Sequence, residues 1–319
     1  MQRLKAIVEY KEDIAQGVRA FALRSAYEST VFGEADAGSH VDLFMTKDLV
    51  RSYSLYRPAD KGGLYKIAVA LEPQGRGGSS HMFSNVKLGD EIEISTPKNH
   101  FPLAEDASNT VMVAGGIGVT PLLAMATRLA SLGKAWTLHY AARTRNGAAF
   151  VEELQELADG SAGKVFFSFG DDPSRQRINL EQVFGHAPQG SHFYCCGPKK
   201  MIDAFIAAGK QQPSELVHVE HFEGFTPTGS DHSFNVRLAR SDKLLTVPVG
   251  STILEIVEQA GISVPNACKE GVCAACEVRV IAGIPDHRDL VLSKKERAQN
   301  QSMMICCSGS VSAELVLDL

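Results

Sequence analysis

No cysteine occurs before Cys195 in this 319-residue chain, which excludes a disulfide framework spread through the fold. The seven that exist are crowded: Cys195 and Cys196 are adjacent, and Cys268, Cys273, Cys276, Cys306 and Cys307 lie near the C-terminus. In a reducing compartment, clustering of this kind points to metal ligation or catalysis rather than cross-linking. Also missing is any apolar run near the roughly 18 residues that span a bilayer. The opening segment MQRLKAIVEYKEDIAQ turns charged too early for a secretory leader, so the expectation is a cytoplasmic protein with no membrane partner. No lysine and arginine run stands out and the net charge of −5 is mild, which argues against a nucleic-acid partner held through its phosphates. Internal repeats and low-complexity segments are lacking too.

What is present suits an ordinary globular composition, 44% hydrophobic and 22% charged. The length is about twice the ~150 residues of one domain, so two or three are expected. Residues 1–104 read as short alternating strands, LKAIVEY, VRAFALR, HVDLFM, RSYSLY, LYKIAVALE and DEIEISTP, broken by Gly, Asp, Asn and Pro turns. That pattern predicts an antiparallel barrel or sandwich. From 105 to 225 apolar strands (TVMVAGG, WTLHYAAR, KVFFSFG, HFYCCGP, LVHVEHF) alternate with helical stretches (PLLAMATRLASLG, FVEELQELAD, KKMIDAFIAAGK), the rhythm of a parallel sheet covered on both faces. Residues 226–233, TPTGSDHS, have linker composition. Beyond them, 234–319 begin with a hairpin, FNVRLARSDKLLTVPVG, and a helix, STILEIVEQAG, with Ser251 or Thr252 as N-cap. The strands EVRVIAG and ELVLDL complete the last domain.

The strongest motif is Cys268-KEGV-Cys273-AA-Cys276 with Cys306 and Cys307 downstream, the C-x₄-C-x₂-C…C spacing of plant-type [2Fe–2S] ligation. Gly271, Ala274 and Ala275 are small enough for the loop to wrap the sulfides and present N–H groups to them. A zinc site or inert buried thiols are the alternatives, but zinc ligands usually come in C-x₂₋₄-C pairs, commonly with histidine. Adjacent cysteines on a strand point to opposite faces, so one of the last pair ligates. Cys306, which ends the apolar run Met303-Met304-Ile305, is the expected fourth ligand, with Cys307 a neutral neighbour.

Two glycine motifs follow strands and precede helices. In Ala114-Gly115-Gly116-Ile117-Gly118-Val119-Thr120-Pro121 bare backbone N–H groups can face a pyrophosphate, although the spacing is not G-x-G-x-x-G. Cys195-Cys196-Gly197-Pro198 ends a later strand of the same sheet, so both turns lie at its carboxyl edge, where ligands bind. In the first domain Arg51-Ser52-Tyr53-Ser54 lies on a strand and Gly75-Arg76-Gly77-Gly78-Ser79 precedes a short helix, SHMFSNV. An arginine fork and a Gly-Gly-Ser turn suit a second phosphate.

In this order, RSYS, GRGGS, GGIGVTPL, CCGP and the C-terminal cysteine loop resemble the phthalate dioxygenase reductase and vanillate demethylase reductase family. The resemblance covers essentially the whole chain, including DHRDLVL and SAELVLDL. It implies a multi-domain α+β and α/β protein: an antiparallel flavin-binding β-barrel, a parallel-sheet NAD-binding domain, and a C-terminal β-grasp plant-type ferredoxin domain. FMN is implied rather than FAD, because these reductases lack the parts that hold an adenine half. Arg51, Tyr53 and Ser54 match the flavin strand, Gly77, Gly78 and Ser79 the flavin phosphate loop, and Phe225 an aromatic covering the flavin ring. Gly116, Gly118, Thr120 and Pro121, with Cys196, Gly197 and Pro198, match the nicotinamide-nucleotide site. Asp171 and Asp172 fall near its ribose end, where a carboxylate favours NADH, while Arg175 and Arg177 nearby oppose that preference.

The implied function is reduction of a Rieske-type terminal oxygenase by an NADH-dependent flavin and [2Fe–2S] reductase, and a monomer is expected. A cytochrome P450 as partner, or a non-catalytic iron–sulfur sensor, are the alternatives. The chemistry belongs to the cofactors, so no acid or base is assigned, and His81, His100 and His221 are read as surface or structural groups.

Overall fold

The computed structural model describes residues 3–27, 31–46, 49–57, 63–224 and 229–319. Contacts divide the chain into two units, Gln2–Phe222 and Glu223–Leu319.

The first unit begins with strands β1 (Arg3–Ala15), β2 (Val18–Ser25), β3 (Ser39–Phe44), β4 (Val50–Arg57) and β5 (Tyr65–Ala70), helix α1 (Gly78–Ser84), and strands β6 (Glu91–Ser95) and β7 (Lys98–Asn99). β1 and β2 form a tight hairpin in which Ala15 pairs with Val18, and Gly17 takes the left-handed φ of 73° that the turn demands. The strand order β4-β5-β2-β1-β6-β3-β7, with β3 also paired to β4, closes the sheet into a barrel. Phe21, Leu23, Val41, Leu43, Leu55, Ile67 and Ile94 fill it.

The same unit continues with β8 (Asn109–Gly115), α2 (Val119–Ser131), β9 (Ala135–Ala142), α3 (Val151–Asp159), β10 (Gly163–Phe169), α4 (Leu180–His186), β11 (His192–Cys196), α5 (Lys199–Ala208) and β12 (Val217–Glu220). All strand pairs are parallel, in the order β10-β9-β8-β11-β12. Alternate residues go to opposite faces. Met112, Ala114, Tyr194 and Cys196 join the cluster under α2 and α3, whereas Val111, Val113, Phe193 and Cys195 join that under α4 and α5. The adjacent cysteines 195 and 196 are therefore split between two cores. Helix α4 is short, and the sequence reading had no element there.

The second unit contains β13 (Phe234–Leu238), β14 (Lys243–Val247), α6 (Ile253–Gln259), β15 (Glu277–Ala282), β16 (Pro285–Asp286), α7 (Lys294–Gln299), β17 (Ser302–Met304), β18 (Gly309–Ser310) and β19 (Glu314–Leu317). Its main sheet, β14-β13-β19-β15-β17, is mixed, with β13 and β19 parallel, and α6 packs on it in a β-grasp arrangement. Thr252, not Ser251, is the N-cap of α6, in a capping box with Glu255. Helix α7 opens with a second such box, Ser293 and Glu296. Of the segment 226–233, residues 229–233 are described and belong to this unit. Ser230 bridges Val249, and Arg288 donates to the Gly229 carbonyl at 2.6 Å. Among the described residues no helix is long and apolar enough to cross a membrane.

Candidate active site

Because every strand of the parallel sheet runs the same way, the ends of β8, β11 and β12 share one edge, and Cys196 is paired in register with Glu220. Helix α2, leaving that edge, packs against barrel strand β4. Ser54 of β4 donates to Glu220 Oε2 at 3.4 Å, and the Cys196 thiol donates to the same oxygen at 3.9 Å. The Glu220 residue is partly buried, and burial pushes its carboxyl up to about 8 against the pull of Ser54 and Cys196. It is therefore a protonated group at neutral pH. Cys196 has no exposed surface, and burial first, then the Glu220 charge, hold its thiol well above its ordinary value. The thiol is a neutral donor, not a thiolate. Sequence reasoning placed Ser54 and Cys196 in the site but assigned no proton-bearing group. Glu220 is the residue it missed, and the one visible signal was a carboxylate ending the apolar strand LVHVE.

The glycine turns pack on one another. A Cβ on Gly118 would fall 2.3 Å from the Cys196 carbonyl oxygen, and one on Gly197 would fall 2.9 Å from Gly115 Cα. These two absences of side chain let the turns touch, a packing reason distinct from phosphate access. Gly116 is different: φ is 55° and a Cβ there would meet nothing within 4 Å, so its backbone faces open space. Thr120 is buried with its hydroxyl on the Ile117 carbonyl at 3.0 Å, and Pro121 is buried in the first turn of α2. Both shape the turn.

On the barrel, Arg51 donates to the carbonyls of Val50 and Arg76, each at 2.7 Å, and its stem lies over Gly78, where a Cβ would come within 2.5 Å of it. Gly77, at φ 82°, opens onto free space. Ser79, expected in the phosphate loop, has a hydroxyl that accepts from the Glu72 backbone N–H at 3.0 Å. Burial pushes the Tyr53 phenol up to about 12, which keeps it a neutral donor. Phe225 lies outside the described residues. These features suit a flavin: open backbone at Gly77, a fixed arginine beside it, and a neutral phenol on the same strand.

Asp171 follows β10 at the same carboxyl edge and accepts the Arg145 backbone N–H at 3.0 and 3.2 Å. Asp172 is turned into its own loop, accepting from Ser174, whose hydrogen bonds hold its carboxyl below the usual range. Arg175 donates to the Gly170 carbonyl, and Arg145 pairs with Glu152. Of the two aspartates, Asp171 is the one that joins the loops after β9 and β10.

In the second unit the loop 268–276 is curled by left-handed backbone at Lys269, Gly271 and Ala274. This turns amides inward: Glu270 N and Val272 N donate to Cys268 Sγ at 3.3 and 3.4 Å, and Cys268 N donates to Cys273 Sγ at 3.4 Å. Hydrogen bonding with Cys306, then burial, holds the Cys276 thiol well above its ordinary value. The Cys307 thiol donates to the Met304 carbonyl at 3.7 Å and lies against Gly271 of the loop. Cys306 and Cys307 lie in a turn after β17 rather than on a strand, so turn geometry, not strand alternation, separates their thiols. A two-iron cluster spreads four thiolates over two irons, and this cradle of sulfurs and inward N–H groups fits one.

Family profiles match these domains in order. They are an oxidoreductase FAD-binding domain over residues 5–102, an oxidoreductase NAD-binding domain over 112–206, and a 2Fe-2S iron-sulfur cluster binding domain over 236–309. Together they define the class: an electron-transfer oxidoreductase with flavin, NAD and [2Fe–2S] domains on one chain. Phenoxybenzoate dioxygenase subunit beta of Ectopseudomonas oleovorans is 46% identical over 284 residues, 89% of this chain and 88% of that protein. The crystal structure of an intact type IV self-sufficient cytochrome P450 monooxygenase matches 99% of this chain with a TM-score of 0.91 and 34% identity; the chain spans only 41% of that protein's length. The structure of phthalate dioxygenase reductase matches with a TM-score of 0.70 and 34% identity, covering 99% of this chain and 98% of the other. The chain belongs to the phthalate dioxygenase reductase and vanillate O-demethylase oxidoreductase family.

Proposed function

We propose that this reductase draws electrons from NADH through FMN to a [2Fe–2S] cluster held by Cys268, Cys273, Cys276 and Cys306, and delivers them to a Rieske-type terminal oxygenase. The observation carrying this reading is the meeting of Ser54, Cys196 and Glu220, which joins the flavin strand to the nicotinamide edge of the sheet around one protonated carboxyl. Bound flavin converts a hydride into two single electrons, the form a one-electron cluster accepts. The protein's own residues bind, orient and manage the proton. Gly116 and Gly77 offer bare backbone to phosphates, and Cys196 and Ser54 hold Glu220 in place. Asp171 supplies a ribose acceptor that disfavours a 2′-phosphate.

FMN over FAD follows from the family resemblance, a monomer is the expectation for the chain, and a reducing cytoplasm suits the clustered thiols. The oxygenase partner is supported by relatives named as dioxygenase components. A P450 partner is the second reading, supported by the match to the self-sufficient monooxygenase. Anaerobic NADH should bleach the flavin and the cluster in sequence, acid extraction should release FMN, and added Rieske oxygenase should reoxidise the chain faster than added P450. Failure of NADH to reduce the chain, or release of FAD, would refute the corresponding part.

A further inference from the structure

The segment Asp286-His287-Arg288-Asp289 has no part in the cofactor chemistry described above, yet it reaches the cluster loop. Asp289 is 1% exposed. Its Oδ2 accepts from Val291 N at 3.1 Å and Leu292 N at 2.7 Å, and its carbonyl accepts from Arg297 of α7. The next residue, Leu290, donates its N–H to the Gly271 carbonyl at 2.8 Å. Gly271 rests directly on this support, because a Cβ there would lie 2.5 Å from Cys307 Sγ and 3.0 Å from Asp289 Cα. Gly271 in turn sits between Glu270 and Val272, the two residues whose amides donate to Cys268 Sγ.

The charge on Asp289 is only loosely compensated. Arg297 Nη2 is 3.8 Å from Oδ2 and His287 Nδ1 is 3.8 Å from Oδ1. Asp289 Oδ1, Arg297 Nε and both His287 ring nitrogens are buried without a hydrogen-bond partner. An under-satisfied buried polar group costs stability relative to apolar packing, so its presence beneath a redox centre asks for a reason other than stability.

We propose that Asp289 is a positioning residue for the iron–sulfur centre, which it serves in two ways. Through Gly271 it holds the Glu270 and Val272 amides toward Cys268, and its partly offset charge holds the cluster's reduction potential down, since net charge and hydrogen bonds to sulfur set that potential. The role rests on the proposed cluster ligation. Asp289→Asn keeps an oxygen for Val291 and Leu292 but removes the charge. In the full chain, an EPR-monitored redox titration should show about a tenfold higher reduced-to-oxidised ratio at fixed potential, 59 mV for a one-electron couple, with altered g-values and two irons retained. Arg297→Gln, which strips the cation and leaves the carboxylate, should move the potential the opposite way. A structural role alone would not produce shifts of opposite sign. Unmoved potentials in cluster-loaded variants, or shifts of one sign in both, would overturn the role alone; an unaltered chain lacking two irons would overturn the cluster assignment and this role with it.

Discussion

Ser54 and Glu220 meet at 3.4 Å although one lies on a barrel strand and the other ends the last strand of the parallel sheet. The contact joins the two halves of the first unit, at the place proposed above for hydride transfer, and one carboxyl is shared between a barrel strand and the sheet edge.

The first expectation concerns pH. Glu220 rises to about 8 in the folded chain from an ordinary 4.5, so between those values the native state holds a proton that the unfolded chain has released. Its contribution to stability is present below about pH 4.5 and is lost as pH climbs through about 8. Glu220→Gln should remove that slope from the pH dependence of urea unfolding. In rapid mixing with NADH, flavin reduction should show an inflection near pH 8 that the variant lacks, with its rate down roughly 100-fold. An unchanged pH profile in the variant would exclude the proton role.

The glycine turns offer a paired experiment. Gly118→Ala drives a methyl into the Cys196 carbonyl and should cost about 1–3 kcal/mol, visible as a lower thermal midpoint, together with a raised KM for NADH. Gly116→Ala meets no atom and should cost only the ~1–2 kcal/mol of left-handed backbone, its larger effect falling on nucleotide binding. Equal destabilisation by both would contradict the packing role given to Gly118.

Separate serine substitutions at the last cysteine pair should part cleanly. Cys306→Ser is expected to lose the visible absorption and EPR signal of the cluster, while Cys307→Ser, whose sulfur faces the Met304 carbonyl, should retain two irons per chain. Retention of the cluster by the Cys306 variant would reassign the fourth ligand.

Asp171→Ala removes the acceptor for the Arg145 amide and leaves Arg175 in the same loop. The KM for NADH should rise about tenfold and that for NADPH should fall, which steady-state cytochrome c reduction measures directly; an unchanged preference would place cofactor selection elsewhere.

Much of this was legible before any coordinates, because the informative residues sit on local signals. The cysteine spacing, the glycine turns after apolar strands and the alternation of β1 to β6 are short-range patterns. Glu220 was not, since its partners Ser54 and Cys196 are brought to it by barrel closure and parallel register. Helices α4 and α7 were missed because they are short, although Ser293 and Glu296 carried a capping signature. Ser79 is placed in the phosphate loop by the family resemblance, while its hydrogen bond from the Glu72 backbone depends on the turn the chain makes there. The separation of Cys306 from Cys307 was expected from strand alternation, whereas the pair occupies a turn.

Lys269 and Ala274 hold left-handed backbone at φ 56° and 53° without being glycine, each at a cost of about 1–2 kcal/mol. Thiolate bonds to iron in the proposed cluster would offset that cost, which would couple cluster insertion to the folding of this loop. A chain made during iron shortage would then keep a competent hydride-accepting half joined to a slack carrier. It would oxidise NADH yet have no one-electron outlet, leaving its reduced flavin to whatever oxidant diffuses in.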